Sequence, residues 1–328
     1  MNFDPPALLL AATTLPVAAV ALLIDRLFGY PDILQQKIAH PVQWIGAAIG
    51  WLDRNLNSGT ARKLRGILAL VIISGVTLAL TLPLTLILRG HESGWLAEAL
   101  LASALLSQKS LEDHVRAVAD ALDNGIKAGR EAVRHIAGRD PEALDESGVT
   151  KAALESLAEN MSDGVVAPLF WLLAAGLPGA ALYKAINTAD SMIGHKSERY
   201  REFGWASARA DDLVNLPASR LTGGLIALSS VLSSGMTGGG AVRAMARDAR
   251  GHLSPNAGWP EAALAGALRI RLGGPRSYDG RKADLAWMGD GRTKLERQDI
   301  GAGLRLYNMG LNIVTALAVG ASIMWWTA

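Results

Sequence analysis

The sequence predicts an all-α, polytopic integral membrane protein with broken or re-entrant membrane helices and a helical subdomain on the cytoplasmic side. Long uncharged apolar runs recur along the chain, two further apolar segments are interrupted by glycine and proline, and the stretch before them is charged with helical periodicity. Hydrophobic residues make up 50% of the 328 positions and charged residues 19%, below the roughly 25% usual in soluble chains.

Residues 7–24 (ALLLAATTLPVAAVALLI) and 66–88 (GILALVIISGVTLALTLPLTLIL) carry no charge, and 302–326 is broken only by Arg305. A helix crosses the hydrocarbon core with about 20 apolar residues. One such run is compatible with a buried soluble helix; three in one chain argue for a membrane. The first run has Asp4 before it, no basic flank and no Ala-x-Ala site ahead of Asp25 and Arg26, so it is expected to be a retained span rather than a signal peptide. Residues 25–65 carry Arg26, Lys37, Arg54, Arg62, Lys63 and Arg65. The bias of basic residues towards the cytoplasm places this segment inside and the N-terminus outside. Residues 95–111 are expected to form a further span or, because of Glu98 and Lys109, an amphipathic surface helix.

From Glu112 to Asp163 the chain is a helical polar insert, with Val115, Val118, Ala119 and Leu122 at helical spacing. Asp140 is expected to cap a short helix starting at Pro141, Gly148 to end it, and Thr150 to cap the next. Residues 165–186 are apolar but interrupted by Pro168 and by Gly176-Leu177-Pro178-Gly179. Broken backbone at membrane depth persists only where protein or a water-filled cavity satisfies it, and a re-entrant hairpin is one solution. Residues 221–241 are a second such segment. Residues 242–301 read as polar helices and loops without a strand pattern. The chain is expected to be a single membrane-embedded catalytic domain. It has no cysteine, which excludes disulfides, thiolate metal sites and cysteine nucleophiles. A net charge of +2 is too small to imply nucleic-acid binding.

Polar clusters flank the broken segments. Glu155, Glu159 and Asp163 stand at i, i+4 and i+8, an acidic stripe on a regular helix that a divalent cation, arginines or plain solvent would satisfy. Asn160 precedes Asp163 by three residues, and Asn187 precedes Asp190 by three, so each pair shares a helix face of hard oxygens suited to Mg²⁺. Helix capping is the competing role for these aspartates. His195, Lys196 and Arg199 follow, then Arg209, Asp211, Asp212, Asn215 and Arg220; cations of this kind suit phosphate or carboxylate oxygens. Asn256 and Glu261 lie in a Pro-rich turn, and His40 sits in HPVQWIG. Ionisable groups beside lipid are costly and default to functional candidates.

The stretches ESLAENMSDGVVAPLFW (155–171), YKAINTADSMIGHKSERYREFGWASARADDLVNLPASRLTG (183–223) and SPNAGWPEAALAGAL (254–268) closely resemble the adenosylcobinamide-phosphate synthase (CobD/CbiB) family of cobalamin biosynthesis. HPVQWIG (40–46), IAGRD (136–140) and GDGR (289–292) are similar to it too. The resemblance implies a multi-pass protein of the bacterial inner membrane with a cytoplasmic site. Its implied reaction is ATP-dependent: a carboxylate of adenosylcobyric acid is joined to (R)-1-aminopropan-2-ol or its O-phosphate, giving adenosylcobinamide or its phosphate. A corrinoid, an amino alcohol and the lipid bilayer are the expected partners, with association with other cobalamin-synthesis proteins a further expectation and no nucleic acid.

On that resemblance, Asn160, Asp163, Asn187 and Asp190 are expected to hold Mg²⁺ with the triphosphate. Lys196, Arg199, Arg209 or Arg220 would stabilise phosphoryl charge, and Glu159 or His195 would accept the proton of the attacking amine. His40, Asp211, Asp212, Asn215, Asn256 and Glu261 are expected at the substrates. Trp44, Trp171, Trp205 and Trp259 are either corrin-facing or interfacial anchors. If residues 165–186 and 221–241 each cross the membrane once, residues 187–220 fall on the far side from ATP. Three rival readings use similar features: a Mg²⁺-dependent membrane alcohol phosphotransferase or prenyltransferase, a corrinoid transporter, and a non-catalytic membrane anchor.

Overall fold

The computed structural model describes residues 5–134, 136, 141–278, 281–283 and 285–327. The expected cap Asp140, with most of 136–140, lies outside them. Helices dominate: α1 (Pro5–Phe28), α2 (Asp32–Ile38), α3 (Pro41–Leu56), α4 (Arg62–Arg89), α5 (Gly94–Ser103), α6 (Gln108–Asp123), α7 (Ile126–Arg134), α8 (Glu146–Asn160), α9 (Ala167–Ile193), α10 (Trp205–Val214), α11 (Leu216–Val231), α12 (Gly238–Asp248), α13 (Gly258–Leu268) and α14 (Arg297–Thr327). Two small antiparallel ladders pair β1 (Leu272–Gly273) with β4 (Trp287–Met288) and β2 (Arg276–Tyr278) with β3 (Arg281–Ala283). Strands of two or three residues are too short to show an alternating pattern, which is why the sequence did not announce them.

Three helical stretches among the described residues are long and apolar enough to cross a membrane: Arg62–Arg89, Glu146–Ile193 and Arg297–Thr327. Residues 95–111 do not form one helix. Helix α5 has 10 residues, about 15 Å, half the hydrocarbon thickness, and the chain turns at 104–107 before α6.

The chain divides into two compact units: Met1–Ser107, Ala167–Asn215 and Thr315–Ala328 form the first, and Gln108–Val166 and Leu216–Val314 the second. In the first unit, Ile49, Leu52, Ala69, Ile73, Ala185, Ala189, Ile193 and Phe203 form a core between α3, α4 and α9. Glu98 is fully buried and pairs with Arg89 through two hydrogen bonds of 2.8 Å. In the second unit, Val115 and Val118 of α6 pack with Val133, Leu154 and Leu157, as their helical spacing predicts. Here Tyr307 of α14 donates to the Gln108 carbonyl (2.8 Å).

Two local departures from the sequence reading concern α8. Its cap is Asp145, whose carboxylate accepts from Gly148 N at 2.8 Å. Gly148 and Thr150 therefore lie inside the helix rather than at a stop and a new start. After Asn160, residues Met161–Val166 wind as a π-helix. A π turn adds a residue to the repeat, so the i, i+4, i+8 stripe does not stay on one face.

Candidate functional site

Helix α9 breaks as the Gly-Pro sequence requires. Ala175 (φ −142°, ψ 18°) and Gly176 (φ 66°, ψ −163°) leave the helical region, and glycine alone takes the second conformation without strain. Pro168 makes no break: helical backbone runs through it, directly after the π turn at Met161–Val166 where the repeat changes. The break is sharp. A Cβ on Gly179 would lie 2.6 Å from the carbonyl oxygen of Trp171, although residues eight apart in a straight helix are separated by about 12 Å along the axis. Both limbs reach the end of α10: Trp171 Nε1 donates to Val214 O (3.1 Å) and Tyr183 OH to Asn215 Oδ1 (2.9 Å). The Leu177 N–H beyond the break is 3.4 Å from the buried Glu98 carboxylate.

The second limb of α9 and helix α10 form a polar group inside the first unit. Asn187 Nδ2 donates to Asp211 Oδ1 at 3.1 Å. Asp211, Asn215 and Tyr183 are buried. Burial raises the Asp211 pKa above its ordinary value, the Asn187 and Asn215 amides pull it back, and Asp212 raises it further. Asn187 thus spends its amide on Asp211 and keeps its carbonyl oxygen for another partner. Asp190 is half-buried near the end of the helix, and its main-chain oxygen accepts from Gly194 N (2.7 Å).

His40 caps α3, its Nδ1 accepting from Val42 N (3.2 Å), and packs edge-on against Tyr30. Burial lowers its pKa, and the Lys184 charge lowers it further. Neutral His40 with Nδ1 as acceptor carries its proton on Nε2. Lys184, a charge in an apolar run one position past Tyr183, is thereby a further candidate, and its place in that run is the sequence signal that marks it.

The other first-unit candidates are exposed. Arg199 pairs with Asp53 (2.7 Å), and Arg209 lies 3.4 Å from Asp212. His195 and Lys196 are exposed in the loop after α9. Arg62 donates to the Arg199 carbonyl and to Asn57 Oδ1, tying loop 57–62 to loop 194–204.

In the second unit, Glu159 and Asn160 are exposed, Asp163 is half-buried in the π turn, and Glu155 is buried and accepts from Gly273 N (2.7 Å). Asn160 Nδ2 folds back onto Ser156 (2.9 Å to its carbonyl). Arg220 Nη1 contacts Asn256 Oδ1 (2.8 Å) and Ser219 Oγ (2.9 Å), and the guanidinium lies 4.8 Å from the ring centroid of Trp259. Glu261 is buried, 3.7 Å from His252 Nε2, while His252 Nδ1 accepts from Ser254 N (3.0 Å). Both nitrogens of His252 face protein groups, which makes it a fixture of the turn rather than a free base. Trp44 donates to Ile38 O (2.9 Å) and Trp205 faces Lys63 (4.0 Å).

The metal candidates thus divide, Asn187 and Asp190 belonging to the first unit and Asn160 and Asp163 to the second. No group of three or more His, Cys, Asp or Glu side chains suited to a metal occurs among the described residues. Each Asn-Asp pair supplies one carboxylate and hard amide oxygen. That donor set fits Mg²⁺ that keeps waters and arrives with substrate phosphate, and does not fit an ion caged by protein alone.

The architecture defines a class: a helical protein with membrane-length apolar helices, one of them broken, that carries buried polar groups. Within that class the chain belongs to the CobD/Cbib family, whose model, described as CobD/Cbib protein, matches residues 18–307. It is 49% identical over 308 residues to "Cobalamin biosynthesis protein CobD" of Rhodobacter capsulatus, covering 93% of this chain and 96% of that one. The namesake of Sinorhizobium fredii is 48% identical over 315 residues (94% and 96%), and that of Brucella suis 46% over 321 (94% and 97%). No solved structure matches.

Proposed function

We propose that this chain is an integral membrane enzyme of cobalamin biosynthesis that joins adenosylcobyric acid to (R)-1-aminopropan-2-ol or its O-phosphate in an ATP-dependent amide ligation. The observation that carries this is the family match over residues 18–307, together with relatives named for cobalamin biosynthesis. The three membrane-length helices support a multi-pass protein of the bacterial inner membrane.

A carboxylate does not acylate an amine at neutral pH without activation. ATP, brought with Mg²⁺, supplies that activation by transferring its γ-phosphoryl group to the carboxylate and leaving as ADP. The amine nitrogen then forms the amide bond as phosphate departs, and one proton of the ammonium passes to a base. In this scheme Asn187 and Asp190 of the first unit, and separately Asn160 and Asp163 of the second, are proposed as oxygen donors towards Mg²⁺. Arg220, with Lys196, Arg199 and Arg209, is proposed to face phosphoryl or carboxylate charge. Glu159 or His195 is proposed to accept the proton. His40, Asp211, Asp212, Asn215, Asn256 and Glu261 are proposed to bind or position substrate. The tie from Asn187 to Asp211 supports grouping the metal and substrate roles of α9 and α10.

Purified protein given adenosylcobyric acid, the amino alcohol phosphate, ATP and Mg²⁺ is expected to form adenosylcobinamide phosphate, read by mass spectrometry. No product without a lipid or prenyl diphosphate would favour the phosphotransferase reading instead. A cytoplasmic site also requires that Ser197→Cys, the sole cysteine in such a variant, stays unlabelled by an impermeant reagent in intact cells. Labelling from outside would move residues 187–220 away from ATP and end the cytoplasmic scheme.

A further inference from the structure

Several arginines are anchored by a counter-charge, whereas Arg220, like Arg62, Arg65 and Arg130, is held by neutral oxygens, and among the described residues it alone of these four lies over an aromatic ring. Arg89 pairs with Glu98, Arg199 with Asp53, Arg247 with Asp248 and Asp290, Arg292 with Asp299, and Arg297 with Asp123. Arg220 is half-buried, and among the described residues its hydrogen-bond partners are neutral oxygens: Leu216 O (3.1 Å), Ser219 Oγ (2.9 Å) and Asn256 Oδ1 (2.8 Å), all taken by Nη1. Burial lowers its pKa, and no carboxylate acts against that shift.

The surroundings hold the group still. Arg220 and Gly223 share a face of α11. A Cβ on Gly223 would lie 3.3 Å from the Trp259 carbonyl oxygen and 2.5 Å from Met245 Sδ, so the α11 backbone sits directly on the first turn of α13. That approach lays the guanidinium over the Trp259 ring and beside the start of an 11-residue helix, whose unpaired N–H groups favour negative charge. Asn256 is buried and Ser219 fully so. With Nη1 occupied, Nε and Nη2 form the remaining edge of the fork, the edge that takes a carboxylate or phosphate through two parallel hydrogen bonds.

We propose that Arg220, fixed by Ser219 and Asn256 and seated on Trp259, is a preorganised receptor for an oxyanion, phosphate or carboxylate, presented by a ligand of the second unit. The receptor deepens the ligation reading and rests on it only for the identity of the ligand, since the acid, the amino alcohol phosphate and ATP each carry such a group.

The test is binding, which is independent of turnover. The full chain in detergent micelles is titrated with pyrophosphate and, separately, with succinate at constant ionic strength, and the unfolding midpoint is followed. Ligand that binds only the folded state raises it in a saturable way. Wild type is expected to respond to at least one probe. Arg220→Gln is expected to need roughly 10-fold or more ligand, the scale of a charge-assisted hydrogen-bonded pair. Arg220→Lys keeps the charge without the fork and is expected to fall between them. A response to pyrophosphate alone assigns the receptor to a phosphate, and a response to succinate assigns it to a carboxylate. No saturable response of wild type to either probe, or an unchanged response in Arg220→Gln, overturns the proposal. If the Gln variant does not fold, the comparison of Arg220→Lys with wild type decides, and an unchanged response in Arg220→Lys then overturns the proposal. A receptor that binds while the purified enzyme forms no amide would leave the oxyanion site standing and remove the ligation reading.

Discussion

Helices α4 and α9 are nearly equal in length, 28 and 27 residues, and belong to the same compact unit, yet they follow opposite rules. The apolar window of α4 is 17% buried, whereas that of the stretch containing α9 is 67% buried. Leu80 and Leu86 of α4 are among its exposed side chains, while Tyr183 and Ala185 of α9 are enclosed. Proline does not bend both alike: Pro83 sits inside α4, whereas α9 breaks at Ala175–Gly176. A helix that faces lipid must satisfy its backbone internally and expose only apolar side chains. A helix surrounded by protein can open its backbone where a neighbour completes it, as Glu98 does at Leu177, and can carry Asn187 and Asp190. Polar side chains are therefore tolerated on the buried helix.

The largest expected effect tests the break itself. Glu98→Ala removes the buried carboxylate that meets both Arg89 and the Leu177 N–H. Breaking a buried pair costs about 3–5 kcal/mol, so the variant is expected to lose most of its thermal stability in detergent. A midpoint close to wild type would mean that the break stands without this pair.

Next come the two aspartates. Asp163→Asn and Asp190→Asn are each expected to lower turnover about 10²-fold or more, the scale of removing one electrostatic contributor, with expression and membrane insertion unchanged. Residual activity is expected to need more Mg²⁺. Near-normal turnover with an unaltered Mg²⁺ response would remove the metal assignment; helix capping is not the alternative, because Asp163 lies inside the π turn and Asp190 near the far end of α9.

A smaller, pH-dependent effect belongs to Asp211. Burial raises its pKa, so the folded chain prefers the protonated form. At pH below the ordinary carboxylate range both folded and unfolded chains are protonated, and Asp211→Asn should match wild type. As pH rises through that range and then through the raised value, wild type should lose stability relative to the Asn variant, and the gap should stay constant above it. Melting curves across pH check this; parallel curves would show that the Asn187 and Asn215 amides fully offset burial.

The smallest effect is expected on the exposed face of α4. Leu80 is 68% exposed, so Leu80→Ala should change stability by less than about 0.5 kcal/mol. A loss as large as that of Glu98→Ala would mean that this face of α4 is covered by protein.

The apolar runs, the helical insert and the break near Gly176 were legible because each depends on local rules: hydrophobic length, a 3.6-residue period, and the restrictions of proline and glycine. The candidate residues were legible as types, and the family resemblance marked the stretches holding them. The pairings were not legible. Nothing in the spacing shows that Asn187 meets Asp211 across 24 positions, or that Arg220 meets Asn256 across 36. The acidic stripe of Glu155, Glu159 and Asp163 was misleading for a local reason, since the π turn at Met161–Val166 changes the repeat it assumed. Glu98 looked like a flaw in a span, yet it is the partner of a broken helix. By itself the sequence determined which segments are apolar, where the backbone must break and which chemical groups are present, because those properties reside in single residues and their near neighbours. Only the tertiary structure decided which carboxylates are buried, which arginines have a counter-charge and which amides are spent on protein, because each depends on what a distant part of the chain brings within about 3 Å, the reach of a hydrogen bond.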